Sequence, residues 1–409
     1  MVVANVSMAQ VGDIIKRKAG DGVKQGTQTG TEKAIDKGID KLFKKKDKNN
    51  KTDNTDNATG GGASAQPENT SIKTYSKYDF IPGEKVIGFD DFSQDAVGDF
   101  PGKWTTNASG EIMTADKYPG KWLNISKQGY FIPRFIKSLP DNFTIEYDLL
   151  FIPPASAAGP NTAAVGLQLI YSLSARPNFD YNPDRSYFEL DPYMGNVNIA
   201  GYTKNGEKLL ENQFRVKGLQ RQNTFSYHIA ICRQKTRLRV YLNETKVVDA
   251  PSLLASDIKY NNIRFATSLN NDGSTWLISN FKFASGLPDT RTKLLNEGRF
   301  STTGILFNTS SADIKAASYG TLKEIAGVLK DNPGIHVKIT GHTDSDGDNT
   351  ANLDLSKKRA DAVKAFLVKE FSIDENRLQT DGKGETQPAA PNTTAEGKAQ
   401  NRRVEFIKI

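Results

Sequence analysis

Apolar and polar positions alternate with a period of two along residues 78–285. Phe143, Ile145, Tyr147, Leu149 and Phe151 fall on one face of a single extended run, the pattern of a strand with one buried side. Shorter stretches at 165–171, 187–190, 225–231, 238–242, 263–267 and 276–283 predict further strands, and Asn205-Gly206 and Asp272-Gly273 supply turns between some of them. Many short strands with no helical pattern between them predict one all-β sandwich or jelly roll.

Past residue 302 the period changes. Ile305-Leu306-Phe307 predicts a strand. Ile314, Tyr319, Leu322, Ile325, Ala326 and Leu329 then recur at helical spacing, predicting a helix over 312–330. Ile335, Val337 and Ile339 share one face of a strand over 335–340. Leu355, Ala362, Val363 and Phe366 mark a second helix over 352–369, starting near Asn352 or Asp354, either of which can accept from the free N–H groups of a first turn. Short strands at 377–380 and 403–409 complete a βαβαβ–β order, an α/β sandwich of helices on a sheet.

The N-terminal region carries no such pattern. Val2, Val3, Ala4 and Val6, with Ser7-Met8-Ala9 before Gln10, read as the remnant of a secretory signal peptide over residues 1–9, or as an irregular N-terminus. Residues 10–46 form a basic arm. Ala34, Ile35, Ile39, Leu42 and Phe43 recur at helical spacing among lysines, which fits either a helix lying on a partner or anionic membrane surface, or a solvated tail. Residues 47–77 are polar, contain a glycine triplet, and read as a disordered linker. Residues 286–302 connect the β domain to the last domain, 303–409, with a short helix at 290–297 between Pro288 and Gly298.

Within the second C-terminal helix, Arg359 projects into the middle of the apolar stripe. A guanidinium is seldom buried without an anionic partner, and Asp344 at the end of the preceding strand is the nearest candidate. One fixed anion and one fixed cation at a loop-lined sheet edge suit a zwitterion: the carboxylate takes its ammonium, the planar guanidinium its carboxylate. A structural Asp344–Arg359 ion pair accounts for the same two residues.

The stretch around this pair resembles the OmpA-like peptidoglycan-binding domain. The matching residues are Gly341-His342-Thr343-Asp344, Asn352, Leu355-Ser356, Arg359-Ala360, Val363, Leu367, Arg377-Leu378, Gly382, Gly384, Pro388, Asn392 and the run Asn401-Arg402-Arg403-Val404-Glu405. The resemblance covers residues 300–409. It implies that Asp344 and Arg359 hold the diaminopimelate of the peptide stem, with Thr343, Asn352 and Leu355 around them; Arg402 and Arg403 support the site or a glycan phosphate or carboxylate, unless one of them is a helix-end or surface charge. The loop 345–350 is more acidic than in many family members. The implied setting is the periplasm, associated with the outer membrane, with an outer-membrane protein or complex as partner.

The β domain bears a looser resemblance, through Phe89-Asp90-Asp91-Phe92, residues 99–104 and residues 278–283, to laminin-G/concanavalin-like sandwiches. That family includes glycosidases, and Glu189-Leu190-Asp191 is similar to part of their catalytic strand; Pro192, Tyr193 and Met194 stand where a second catalytic glutamate belongs. Hydrolysis needs two carboxyl groups at fixed separation, so the expectation is a non-enzymatic protein. Trp104, Trp122, Tyr181 and Tyr193 are candidates to stack on sugars, or core and rim residues. Asp90 and Asp91 could contribute to a structural calcium site or form an ordinary acidic pair; no other cofactor is expected. A second architecture compatible with the family is an integral outer-membrane barrel over 78–285.

Composition adds bounds. The 409 residues suffice for two or three domains. The formal charge is +7, but no nucleic-acid motif or interleaved aromatics accompany it. No apolar run reaches membrane-helix length. Cys232 is the single cysteine, so no intrachain disulfide forms.

Overall fold

The alternation at 143–151 lies within one of the two longest strands of a pair of facing antiparallel sheets. The computed structural model describes residues 78–154, 164–170, 185–220, 222–268, 273–287 and 289–409. The predicted signal remnant, arm and linker lie outside these residues, as does Tyr181. In chain order the strands of the β domain are β1 Lys85–Asp90, β2 Trp104–Thr106, β3 Ile112–Ala115, β4 Tyr118–Asn124, β5 Gly129–Pro133, β6 Asn142–Ile152, β7 Val165–Ile170, β8 Arg185–Asp191, β9 Asn196–Tyr202, β10 Lys208–Arg215, β11 Phe225–Gln234, β12 Arg237–Leu242, β13 Thr245–Ala250, β14 Asn262–Thr267 and β15 Thr275–Ser285. One sheet runs β13-β12-β11-β6-β15-β4-β3, with β1 also on β15; the other runs β10-β9-β8-β7-β14-β5-β2.

Ile145, Tyr147 and Leu149 of β6 share a core with Leu167, Phe188 and Ile199 of the opposite sheet. Period two therefore turns Glu146 and Asp148 to the outer face. Trp104 packs in the core against Phe92, Phe265 and Phe281. This arrangement corrects the barrel alternative. The strands form two sheets around an apolar interior, whereas a membrane barrel is one closed sheet with its apolar band outward.

The second domain contains α1 Thr290–Asn296, β16 Arg299–Thr302, α2 Tyr319–Asp331, β17 Val337–Gly341, α3 Asn349–Phe371, β18 Leu378–Gly382, α4 Ala395–Asn401 and β19 Val404–Lys408. Its sheet order is β16-β19-β17-β18. Only β17 and β18 are parallel, joined by α3 as the crossover.

Four local expectations change. Ile305-Leu306-Phe307 is not a strand; only a bridge joins Phe307 to Ile314. One edge strand is β16, from the segment read as a connector. It buries Phe300 and Thr302 and exposes Arg299 and Ser301, and Gly304 then lies so close to Pro82 and Thr321 that a Cβ would sit 2.6–2.8 Å from them. The first long helix begins later than predicted, with a 3-10 turn at Ala316–Ser318 leading into α2. The second begins earlier, because Asp348 is its cap and accepts from Ala351 N at 2.9 Å. Asn352 lies inside the helix, and its side chain bonds elsewhere.

The two domains are tied together at several points. Lys293 pairs with Glu84 at 2.7 Å and Lys103 with Glu396 at 3.1 Å. Val86 N donates to Gln400 Oε1 at 3.0 Å. A Cβ on Gly320 would meet Phe80 O at 2.4 Å, so the start of α2 is in direct contact with the chain leading into β1. Each exposed ion pair contributes little by itself, but the close backbone approach leaves no room for a shift in register.

Candidate functional site

Close packing of α3 on β17 and β18 sets the site. A Cβ on Gly341 would lie 2.1 Å from Ser356 O, and one on Gly382 would lie 2.5 Å from Lys357 N. Glycine at both strand ends lets the helix backbone rest directly on the sheet. Arg359, one turn beyond Ser356, therefore emerges at the sheet edge beside the loop that follows β17.

Asp344, Thr343, Asn352, Leu355, Arg359 and Arg402 all line one cleft of about 1040 Å³ between the two domains. Arg359 is half-buried. Its Nε donates to Ser311 O at 2.9 Å, and its guanidinium lies 4.9 Å from the centre of the Phe307 ring. Burial lowers its pKa from the ordinary arginine value, with the Asp344 charge opposing. No protein acceptor meets its terminal nitrogens among the described residues.

Asp344 does not pair with Arg359. Arg402 Nη1 donates to Asp344 Oδ2 at 2.5 Å and stacks over Phe89 of the β domain at 5.6 Å. Asp344 Oδ1 accepts from Asp346 N at 3.2 Å. Asn352 Nδ2 donates to Asp346 O at 3.0 Å and to Glu385 Oε2 at 2.7 Å, fixing the loop between strand and helix. Thr343 is buried, its N–H donating to Gly384 O at 2.9 Å, and its hydroxyl has no hydrogen-bond partner among the described residues.

Arg403 does not line this cleft. Its Nε and Nη2 donate to Glu405 Oε1 at 3.0 and 2.8 Å, and Nη2 also donates to Gln387 O at 3.0 Å. Burial pushes the Glu405 carboxyl up, but hydrogen bonds from His342, Arg299 and Arg403 outweigh it and hold it far below the usual carboxylate range. Strand alternation explains the difference: Arg402 precedes β19 on the cleft side, and its neighbour points the other way.

The β-domain candidates have structural partners. Asp90 Oδ2 accepts from Trp104 Nε1 at 2.9 Å and Oδ1 from Phe92 N at 3.3 Å, while Asp91 Oδ1 accepts from Ser93 N at 3.0 Å. Among the described residues no group of three His, Cys, Asp or Glu could hold a metal ion. Glu189 accepts from Asn198 Nδ2 at 3.1 Å, and Asp191 accepts from the N–H groups of Tyr193 and Met194, closing a turn. Trp104 and Trp122 are buried and Tyr193 is exposed.

Sequence reasoning missed the opposite wall. Glu146, Asp148, His228, Asn280 and Lys282 of the β domain line the same cleft. Each reads in sequence as the polar half of an alternating strand. Only the pairing of β11, β6 and β15 brings them side by side, with His228 opposite Asp148 and Lys282 opposite Glu146.

Residues 306–402 match the family model described as the OmpA family. Over 102 residues the chain is 46% identical to the probable lipoprotein YiaD of Escherichia coli (strain K12), covering 25% of this chain and 46% of that protein. Over 101 residues it is 41% identical to outer membrane porin F of Pseudomonas aeruginosa, covering 25% and 29%. Over 103 residues it is 38% identical to the peptidoglycan-binding protein ArfA of Mycobacterium bovis, covering 25% and 31%. The chain thus spans less than half the length of these curated relatives.

Proposed function

We propose, from the OmpA-family domain at residues 306–402, that the chain is a non-enzymatic peptidoglycan anchor of the periplasm, associated with the outer membrane. Asp344 takes the ammonium and Arg359 the carboxylate of the diaminopimelate in the peptide stem. The observation that carries this reading is Arg359 itself. Its Nε is spent on Ser311 O and its face on Phe307, leaving the terminal nitrogens for a bidentate carboxylate in the cleft that Asp344 also lines. Arg402 holds the Asp344 carboxylate in place and shares it with the incoming ammonium. Thr343, Asn352 and Leu355 shape the pocket, and Arg403 supports it from behind through Glu405. The peptidoglycan-binding relative adds support by analogy.

The remainder of the reading is a tether. The sandwich, which we take as concanavalin-like, and the basic arm hold an outer-membrane protein complex or a glycan, while the βαβαβ-type domain holds the wall. Sedimentation with purified sacculi tests the anchor. A charge-assisted hydrogen bond contributes about 1.5–3 kcal/mol, so Asp344→Ala and Arg359→Ala each should weaken binding by roughly tenfold or more while the fold persists. Undiminished co-sedimentation of both variants removes this mechanism.

A further inference from the structure

The zwitterion pair occupies one end of a cleft whose other wall belongs to the β domain. A volume of about 1040 Å³ matches clefts that hold whole drug-sized ligands, roughly 300–1,000 Å³, and is far more than one amino acid fills. The opposite wall is built rather than incidental. Glu146 is buried with its side chain 5% exposed, yet it carries Lys282 Nζ at 2.6 Å and His228 Nε2 at 3.5 Å. His228 Nδ1 lies 2.7 Å from Asp148 Oδ1, and Asn280 Nδ2 donates to Asp148 Oδ2 at 2.7 Å.

Backbone irregularity aims this network. The register of β15 on β6 shifts between Ser279 and Lys282, so Asn280 and Phe281 bulge opposite Tyr147. Bulges of this kind re-aim side chains and cluster at binding sites. Asn280, in this bulge, and Asn243, in the turn between β12 and β13, both line the cleft in left-handed backbone at φ 50° and 51°, a conformation asparagine adopts more readily than other non-glycine residues. A buried acid is expensive unless it is paired. Glu146 is buried beside Lys282 and His228, while the His228 and Asp148 side chains stay 31% and 28% exposed on the cleft, and among the described residues His228 Nε2 has no hydrogen-bond partner.

We propose that this wall is a second subsite, taking the charged peptide that flanks the gripped zwitterion, with Lys282 and His228 receiving a free carboxylate and Asp148 and Asn280 the adjoining amides. The inference rests on the reading of Asp344 and Arg359 as that grip. Peptide is favoured over sugar because each of the two aromatic rings in the cleft already has an arginine on one face. Phe89 has Arg402 over one face and Phe307 has Arg359, so each ring already carries a cation, while the wall presents both signs of charge.

Calorimetric titration of the full chain tests it, with three probes: free meso-diaminopimelate, the diaminopimelate-containing tetrapeptide stem, and the peptide-free wall disaccharide. The unaltered chain should bind the stem at least tenfold more tightly than the free amino acid. The paired variant Glu146→Gln with Lys282→Met removes both charges without stranding either, and should erase that advantage while leaving affinity for the free amino acid unchanged. Should that pair not fold, Asn280→Gly, which keeps the left-handed backbone and deletes the amide, should reduce stem affinity several-fold. Unchanged stem affinity in a folded variant overturns the second subsite, as does competition by the disaccharide alone. Failure of the unaltered chain to bind either diaminopimelate probe overturns the underlying grip, and this inference with it.

Discussion

Arg359→Met separates a ligand-binding arginine from a structural one, because the two roles load the side chain differently. Without ligand the guanidinium makes one charge-assisted hydrogen bond to the Ser311 carbonyl, worth about 1.5–3 kcal/mol before desolvation. Its contact with the Phe307 ring adds about 0.5–1 kcal/mol at a partly exposed site. Burial opposes both, since it disfavours the charged form. Methionine fills most of the same stem with no charge to desolvate, so unfolding free energy should change by no more than about 1–2 kcal/mol. With ligand, a carboxylate held by two charge-assisted bonds loses about 3–6 kcal/mol, taking about 1.5–3 kcal/mol for each, which is a weakening of roughly a hundredfold to ten-thousandfold. Arg359→Lys keeps the charge and loses the planar fork, so about one bond disappears and the stem binds roughly 10–150-fold more weakly. Titration with the tetrapeptide stem reads affinity, and urea unfolding of the same samples reads stability. A methionine variant that loses several kcal/mol of stability while binding the stem undiminished would refute the assignment and make Arg359 a structural residue.

The network on the other wall predicts a pH dependence of stability. Burial pulls the His228 pKa down, but hydrogen bonds and charge from Asp148 and Glu146 win and raise it from 6.5 to about 9. Its stabilising contribution is therefore full below pH 6.5 and lost as pH rises through 9, so urea unfolding at pH 6, 8 and 10 should show a decline that His228→Gln flattens; parallel profiles would remove the network from the account. Gly341→Ala should lower the melting temperature measured by calorimetry, because a methyl 2.1 Å from Ser356 O forces α3 off the sheet at a cost of about 1–3 kcal/mol, and should weaken stem binding because Arg359 moves with the helix.

Legibility followed sequence distance. The strand, loop and helix that carry Asp344 and Arg359 are contiguous, and period alone placed both residues at one edge. The anion's protein partner was misjudged because Arg402 lies 58 positions away and only the β19–β17 pairing brings it back. Trp104 read as a possible sugar platform, since a single tryptophan carries no sign of which sheet face it occupies; its hydrogen bond to Asp90 settles both residues in the interior. Strand β16 was hidden in a connector, too short for alternation over Phe300 and Thr302 to stand out. The β-domain wall was the least legible. Glu146 and Asp148 look like the ordinary polar half of β6, and no single-strand pattern reports that His228 and Lys282 stand beside them, or that the second domain closes over that face. An outer sheet face needs only solvated charges, and solvated charges need neither close partners nor a bulge. This face has both where the Asp344–Arg359 cleft opens, and the proposed second subsite rests on that coincidence.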